Sequence, residues 1–172
     1  AIHHGPRGLF SIAKKILLLK DSLESSLRIL GYPLEEIVRF DTVEIYCSEA
    51  SLVHELALKD GFNLRILPLG EDIFNAKGFG ISLDEVSTDK ELQKLEEILA
   101  KAKGKDIKDM KRIDSFDKDL MPGIPLRKED WLQQKVFNQY HSETELMRYI
   151  YSLCSKDFSL TQGMIPLGSC TM

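Results

Sequence analysis

Cysteine is scarce in this 172-residue chain. Cys47, Cys154 and Cys170 are odd in number, widely spaced and never paired as CxxC. That argues against a disulfide scaffold or a zinc site and fits a reducing compartment. Long apolar runs are also missing. The longest is Ile16–Leu19, far short of the roughly 20 residues that span a bilayer, so no membrane partner is expected. Neither sign of charge dominates: 23 basic and 27 acidic residues intermix to a net −4. Without a Lys/Arg stripe, no nucleic-acid partner is expected either. The basic excess around Lys101–Arg112 is interrupted by Asp106 and Asp109 and reads as a solvated linker. Internal repeats, low-complexity tracts and a secretory or transit pattern are all absent.

What is present is strongly periodic. Leu9, Ile12, Ile16, Leu19, Leu23, Leu27 and Leu30 recur at helical steps, predicting an amphipathic helix from Gly8 to Leu30 that stops at Gly31. Thr42–Cys47 alternates as a strand. Ser48 is placed to cap a helix running to Asp60, burying Leu52, Val53, Leu56 and Ala57. Strands are expected over Asn63–Leu67 and Gly80–Leu83, with a polar loop, Gly70–Gly78, between them. Thr88 and Glu91 have capping-box spacing ahead of a helix whose face carries Leu92, Leu95, Ile98 and Leu99. The order is α–β–α–β–β–α, a sheet with helices packed on one face. A linker over residues 101–128 follows, rich in Lys and Asp, with Pro122, Gly123 and Pro125 near its end. A short helix is expected over Asp130–Tyr140. Ser142 and Glu145 repeat the capping-box spacing before a helix with Leu146, Met147, Ile150, Leu153 and Cys154 on one side. That last part has too few apolar residues to bury a core alone.

The residues that invite chemistry are few. Gly168 permits close backbone approach, and Ser169, Cys170 and Thr171 add short polar side chains and backbone donors suited to a polar or anionic ligand. His141 stands before a helix start, where it serves packing or, with the helix N-terminus, anion binding. His3 and His4 point apart on a helix and read as partly exposed residues beside the Gly5-Pro6 helix start. His54 reads as a surface or half-buried histidine. Asp84-Glu85 and Glu96-Glu97 are adjacent acids that point different ways, so they read as caps or solvated faces and not as an acid–base pair. Cys170 has neither a base nor a pKa-lowering neighbour in sequence, so a pocket-lining role is favoured over a nucleophile. No metal-ligand set and no catalytic residue is found.

Several stretches carry a family resemblance in a consistent order. They are His4-Gly5-Pro6 with Gly8-Leu9, then Phe79–Glu85, then Val136-Phe137-Asn138 with Tyr140–Glu145, and finally Met164-Ile-Pro-Leu-Gly-Ser-Cys-Thr-Met172. The set resembles the P-protein family of the glycine cleavage system, the decarboxylating glycine dehydrogenases. The resemblance implies an oxidoreductase of glycine catabolism that uses pyridoxal 5'-phosphate (PLP), a type I PLP-dependent enzyme fold in two halves. It implies glycine and a lipoylated H-protein as partners, the latter receiving an aminomethyl group after decarboxylation, and a homodimer of the full-length chain. On that basis the fold class is α/β. Residues 1–100 form the α+β small C-terminal domain of the first half, 101–128 the linker, and 129–172 the incomplete start of the second, catalytic half.

The sequence opens at Ala1 and closes within a motif, so an internal fragment is expected. The family's Schiff-base lysine lies beyond the terminal loop. No lysine here matches that role, and the fragment alone is expected to be inactive. Ser169, Cys170 and Thr171, with His141, are the residues placed toward the cofactor or glycine pocket. The compartment is mitochondrial matrix in a eukaryote and cytoplasm in a bacterium. The alternative from the residues alone is a non-catalytic regulatory or dimerisation α/β module, with Arg65 on a contact face. A cysteine-based redox protein acting through Cys170 is a third reading.

Overall fold

A computed structural model describes residues 1–68, 72–106, 127–159 and 162–163. The terminal loop from residue 164, with Gly168, Ser169, Cys170 and Thr171, lies outside the described residues, as do residues 107–126 of the expected linker. The elements are α1 (Gly5–Leu30), β1 (Thr42–Tyr46), α2 (Ala50–Lys59), β2 (Arg65–Leu67), β3 (Gly78–Ser82), α3 (Asp89–Ala102), a 3₁₀ turn (Lys135–Phe137) and α4 (Glu143–Cys154). The chain groups into two compact units, one spanning 12–126 and the other combining 1–11 with 127–172.

In the 12–126 unit the sheet is antiparallel throughout, in the order β1-β3-β2. This is the α+β arrangement that the element order implies. Val43 and Ile45 pair with Ile81 and Phe79, so the period-2 alternation of β1 sends both pairs to one face. They join Leu19, Leu23, Leu27 and Leu30 of α1, Ala50 and Val53 of α2, and Leu92, Leu95 and Leu99 of α3 in one apolar cluster. Gly78 is required in the central strand, because a Cβ there would sit 2.4 Å from the Ile45 carbonyl oxygen.

Several expectations shift. Helix α1 starts at Gly5 rather than Gly8, since Pro6 already has a helical φ and needs no N–H partner in the first turn. Ser48 does not cap α2. The N-cap is Glu49, without a side-chain cap bond, because the chain enters through a turn in which Ala50 N–H reaches the Cys47 carbonyl. Leu52 points outward, 43% exposed. The expected helix over Asp130–Tyr140 shrinks to the single 3₁₀ turn, with Leu132 at φ 50, a left-handed conformation that breaks a right-handed helix. The capping boxes of α3 (Thr88, Glu91) and α4 (Ser142, Glu145) both form.

Several polar groups inside this unit are paired across elements. Glu96 is not solvated but 2% exposed, and its carboxylate accepts from the Ser26 hydroxyl at 2.6 Å, tying α3 to α1. His54 is buried as well. Its Nε2 donates to the Gly78 carbonyl at 3.1 Å, and its ring meets Phe79 edge-on. Tyr32 donates to the Leu99 carbonyl at 2.9 Å, lies edge-on to Phe79 and carries the Lys103 ammonium 4.7 Å above its ring. Burial, then the nearby Cys47 and Glu49, raises the Tyr32 hydroxyl well above its usual range. Lys103 in turn donates to Glu49 at 2.8 Å and holds that carboxyl below its usual range. On α1, Glu24 gathers Lys20 at 3.6 Å, Arg39 at 3.4 Å and Arg28 at 3.8 Å. Arg39 also donates to the Glu35 carbonyl at 2.9 Å. The loop after α1 is thereby fastened through a guanidinium with several acceptors.

In the other unit α4 has no buried residue. Met147, Ile150, Tyr151 and Leu153 are exposed. Tyr149 of α4 stacks on Tyr140 at 4.2 Å between ring centroids.

Two outcomes follow. Leu23→Ala removes a side chain that is 0% exposed and lowers unfolding free energy by about 3–5 kcal/mol, whereas Leu52→Ala costs less than about 0.5 kcal/mol; urea titrations of the two variants decide it. Cys47 is partly enclosed and Cys154 exposed, and burial is the main cause raising the Cys47 thiol pKa. A smaller thiolate fraction at any given pH therefore makes Cys47 the slower of the two. Iodoacetamide labelling followed by peptide mass mapping should modify Cys154 first, and equal or reversed rates would refute the assignment.

Candidate functional site

Of the residues singled out for a pocket, His141 is the one within the described residues. It follows Tyr140 and precedes the α4 N-cap, and its Nδ1 donates to the His3 carbonyl at 2.7 Å, across 138 residues of sequence. A carbonyl only accepts, so the proton sits on Nδ1 and the free face of the ring is Nε2. Gly5 makes this approach possible. Its φ is +61, and a Cβ there would stand 2.7 Å from His141 Cε1 and 2.8 Å from the Phe137 carbonyl oxygen. The Gly-Pro helix start and the His141 segment are thus one interlocking feature.

Around this contact lies a cavity of about 430 Å³, lined by His3, His4, Gly5, Pro6, Arg7, Asn138 and His141. The His3 and His4 rings stand edge to face, 5.3 Å apart. Asn138 is fixed by donating to the carbonyls of Leu132 at 2.8 Å and Gln134 at 3.1 Å. At the α4 N-terminus, Ser142 Oγ accepts from the Glu145 N–H, and the Glu145 carboxylate accepts from the Ser142 N–H and hydroxyl. The helix's own carboxylate thus takes up part of the donor capacity that an anion would use at that end.

The remaining candidates are structural. His54 and Glu96 are consumed by the core bonds described above. The Asp84 carboxylate accepts from the Val86 and Ser87 N–H groups and from the Ser87 hydroxyl, and the Ser87 bonds lead the causes that lower its pKa. Arg65 pairs with Glu44 across the open face of the sheet at 3.1 Å. Among the described residues, no group of three or more His, Cys, Asp or Glu side chains is arranged to hold a metal ion. No helix among them is long and apolar enough to cross a membrane.

Pyridoxal phosphate needs a lysine for its aldehyde. Neither the His141 cavity nor two others carry one on the walls described. One of those others lies between Pro33–Arg39 and β1, the second between β2 and the start of α3. The described residues therefore do not form a pocket for this cofactor by themselves. Sequence reasoning missed the approach of His141 to Gly5 and the His3 carbonyl. The two segments are distant in the chain, and only the unusual Gly-Pro beside two histidines hinted at it.

No family model matches the chain. Whole-length relatives do. Glycine dehydrogenase (decarboxylating) of Prochlorococcus marinus strain NATL2A is 55% identical over 172 residues, covering 100% of this chain and 18% of that protein. The enzyme of the same name from Prochlorococcus marinus strain MIT 9303 is 52% identical over the same length and share. That from Serratia proteamaculans strain 568 is 42% identical over 173 residues, 17% of its length. The chain thus spans less than a fifth of the relatives it matches, and along that whole stretch its sequence is similar to glycine dehydrogenases (decarboxylating).

Proposed function

We propose that the chain is a structural piece of a glycine-decarboxylating P-protein. Its whole-length identity to glycine dehydrogenases (decarboxylating) is the observation that carries this reading. In the whole protein the substrate is glycine, and the cofactor is pyridoxal phosphate, which supplies the electron sink for loss of CO₂. The aminomethyl group passes to a lipoylated H-protein, and the full-length chain works as a homodimer. The compartment follows the source: mitochondrial matrix or bacterial cytoplasm. Because the described residues offer the cofactor no lysine on a cavity wall, no catalytic step is assigned to them.

The division of labour follows from the residue types. Residues 1–100 act as the small domain of the first half, with the buried stripe of α1 and the sheet as scaffold. Residues 101–128 link it to the start of the second half. His141 and the loop bearing Ser169, Cys170 and Thr171 belong to that second half. The loop lines the cofactor or glycine pocket, with small side chains that let backbone donors approach the ligand.

Glycine-dependent CO₂ release, assayed with pyridoxal phosphate and lipoylated H-protein, tests this. A polypeptide of the relatives' full length that carries these 172 residues should be active and the 172-residue chain inactive; decarboxylation by the short chain alone would overturn the assignment. Within the full-length protein, Cys170→Ser should keep CO₂ exchange within about twofold, as expected of a residue that packs and does not attack. Loss of several orders of magnitude would instead establish an essential thiol.

A further inference from the structure

The cavity beside His141 has a chemistry that the glycine dehydrogenase reading does not use. Its described wall holds three imidazoles and one guanidinium, from His3, His4, His141 and Arg7, and no carboxylate. The first turn of α1, which supplies Arg7, likewise has no acidic residue, although Asp or Glu is favoured at that end of a helix. Helices α3 and α4, by contrast, each place two acids in their first turns. Asn138 spends its amide N–H groups on the Leu132 and Gln134 carbonyls and adds no donor.

A cation is the poorer occupant. The Arg7 guanidinium, always charged, repels it. Among the described residues no group of three or more His, Cys, Asp or Glu side chains is arranged to hold a metal ion. An oxyanion suits the basic part of this wall. Arg7 offers a planar fork of donors to a carboxylate or phosphate, the His3 and His4 imidazoles each carry an N–H that can donate to the remaining oxygens, and His141, whose Nδ1–H is spent on the His3 carbonyl, donates from Nε2 in its imidazolium form.

We propose that His3, His4, Arg7 and His141 form a receptor for a small oxyanion, a carboxylate or a phosphate. The binding is non-covalent.

Proton–carbon NMR of the histidine rings in the 172-residue chain tests this, with inorganic phosphate, acetate or glycine added at constant pH and with ionic strength held by sodium chloride. Saturable shifts are expected at His3, His4 and His141, on the order of millimolar, with His54 unmoved because its ring is buried against Gly78 and Phe79. Saturation by phosphate at the lower concentration identifies a phosphate ligand; saturation by acetate or glycine at the lower concentration identifies a carboxylate. Arg7→Gln should weaken binding about tenfold while the circular dichroism spectrum stays unchanged, and Arg7→Lys should restore part of it. The proposal fails if shifts grow linearly without saturation, if chloride alone reproduces them, or if Arg7→Gln binds as tightly as the parent chain. It also fails if zinc, and not an oxyanion, gives the saturable response. Should Arg7→Gln fold poorly, His4→Gln takes its place under the same criteria.

Discussion

The leucine stripe of α1 is the constraint on which the rest of the 12–126 unit depends. Leu19, Leu23, Leu27 and Leu30 sit 0–5% exposed. Each such side chain removed from water contributes about 1.5–3 kcal/mol, so the helix has to find a cover along its length. The sheet provides it through Val43, Ile45, Phe79 and Ile81, and α3 provides it through Leu92, Leu95 and Leu99. Hydrophobic burial is not directional, and by itself it would let α1 slide or rotate on this surface. Directional bonds prevent that. Ser26 to Glu96 and Tyr32 to Leu99 both join the α1 region to α3, and Arg39 to Glu24 closes the loop that follows. A buried carboxylate is costly unless its hydrogen bonds are made, so Glu96 penalises any packing that withdraws the Ser26 hydroxyl.

How much of this was legible in the sequence depended on whether the determining physics was local. Both capping boxes could be read directly, because a Ser or Thr and a Glu three residues later satisfy each other's backbone donors without help from elsewhere. The α1 stripe and the α3 face were legible for the same reason: helical periodicity is a property of a short window. The readings that moved were those decided by distant partners. Glu96 beside Glu97 looks like a solvated pair until Ser26, 70 residues away, is placed against it. His54 looks like a surface residue until β3 presents the Gly78 carbonyl. Ser48 had the right identity for a cap but stood one position too early, since the turn before α2 satisfies the Ala50 N–H through Cys47.

The candidate site divides along the same line. The position of His141 just before a helix capped by Ser142 and Glu145 was evident from spacing. The sequence offered no sign that His141 would turn toward Gly5. A positive φ and a missing Cβ at residue 5 are what let an imidazole and a helix start share one volume. That requirement is invisible until the two segments meet. The terminal motif lies outside the described residues, and its share in the family resemblance is one of four ordered matches.

The two units also differ in how their helices are held. The 12–126 unit encloses its own apolar cluster. Among the described residues, α4 has none that is buried, and Met147, Ile150, Tyr151 and Leu153 are exposed; its capping box and the Tyr140–Tyr149 stack are the contacts described for it. A helix of 12 residues is marginal on propensity alone, so the capping box carries a larger share of the stability of α4 than the same device does in α3, whose apolar face is buried.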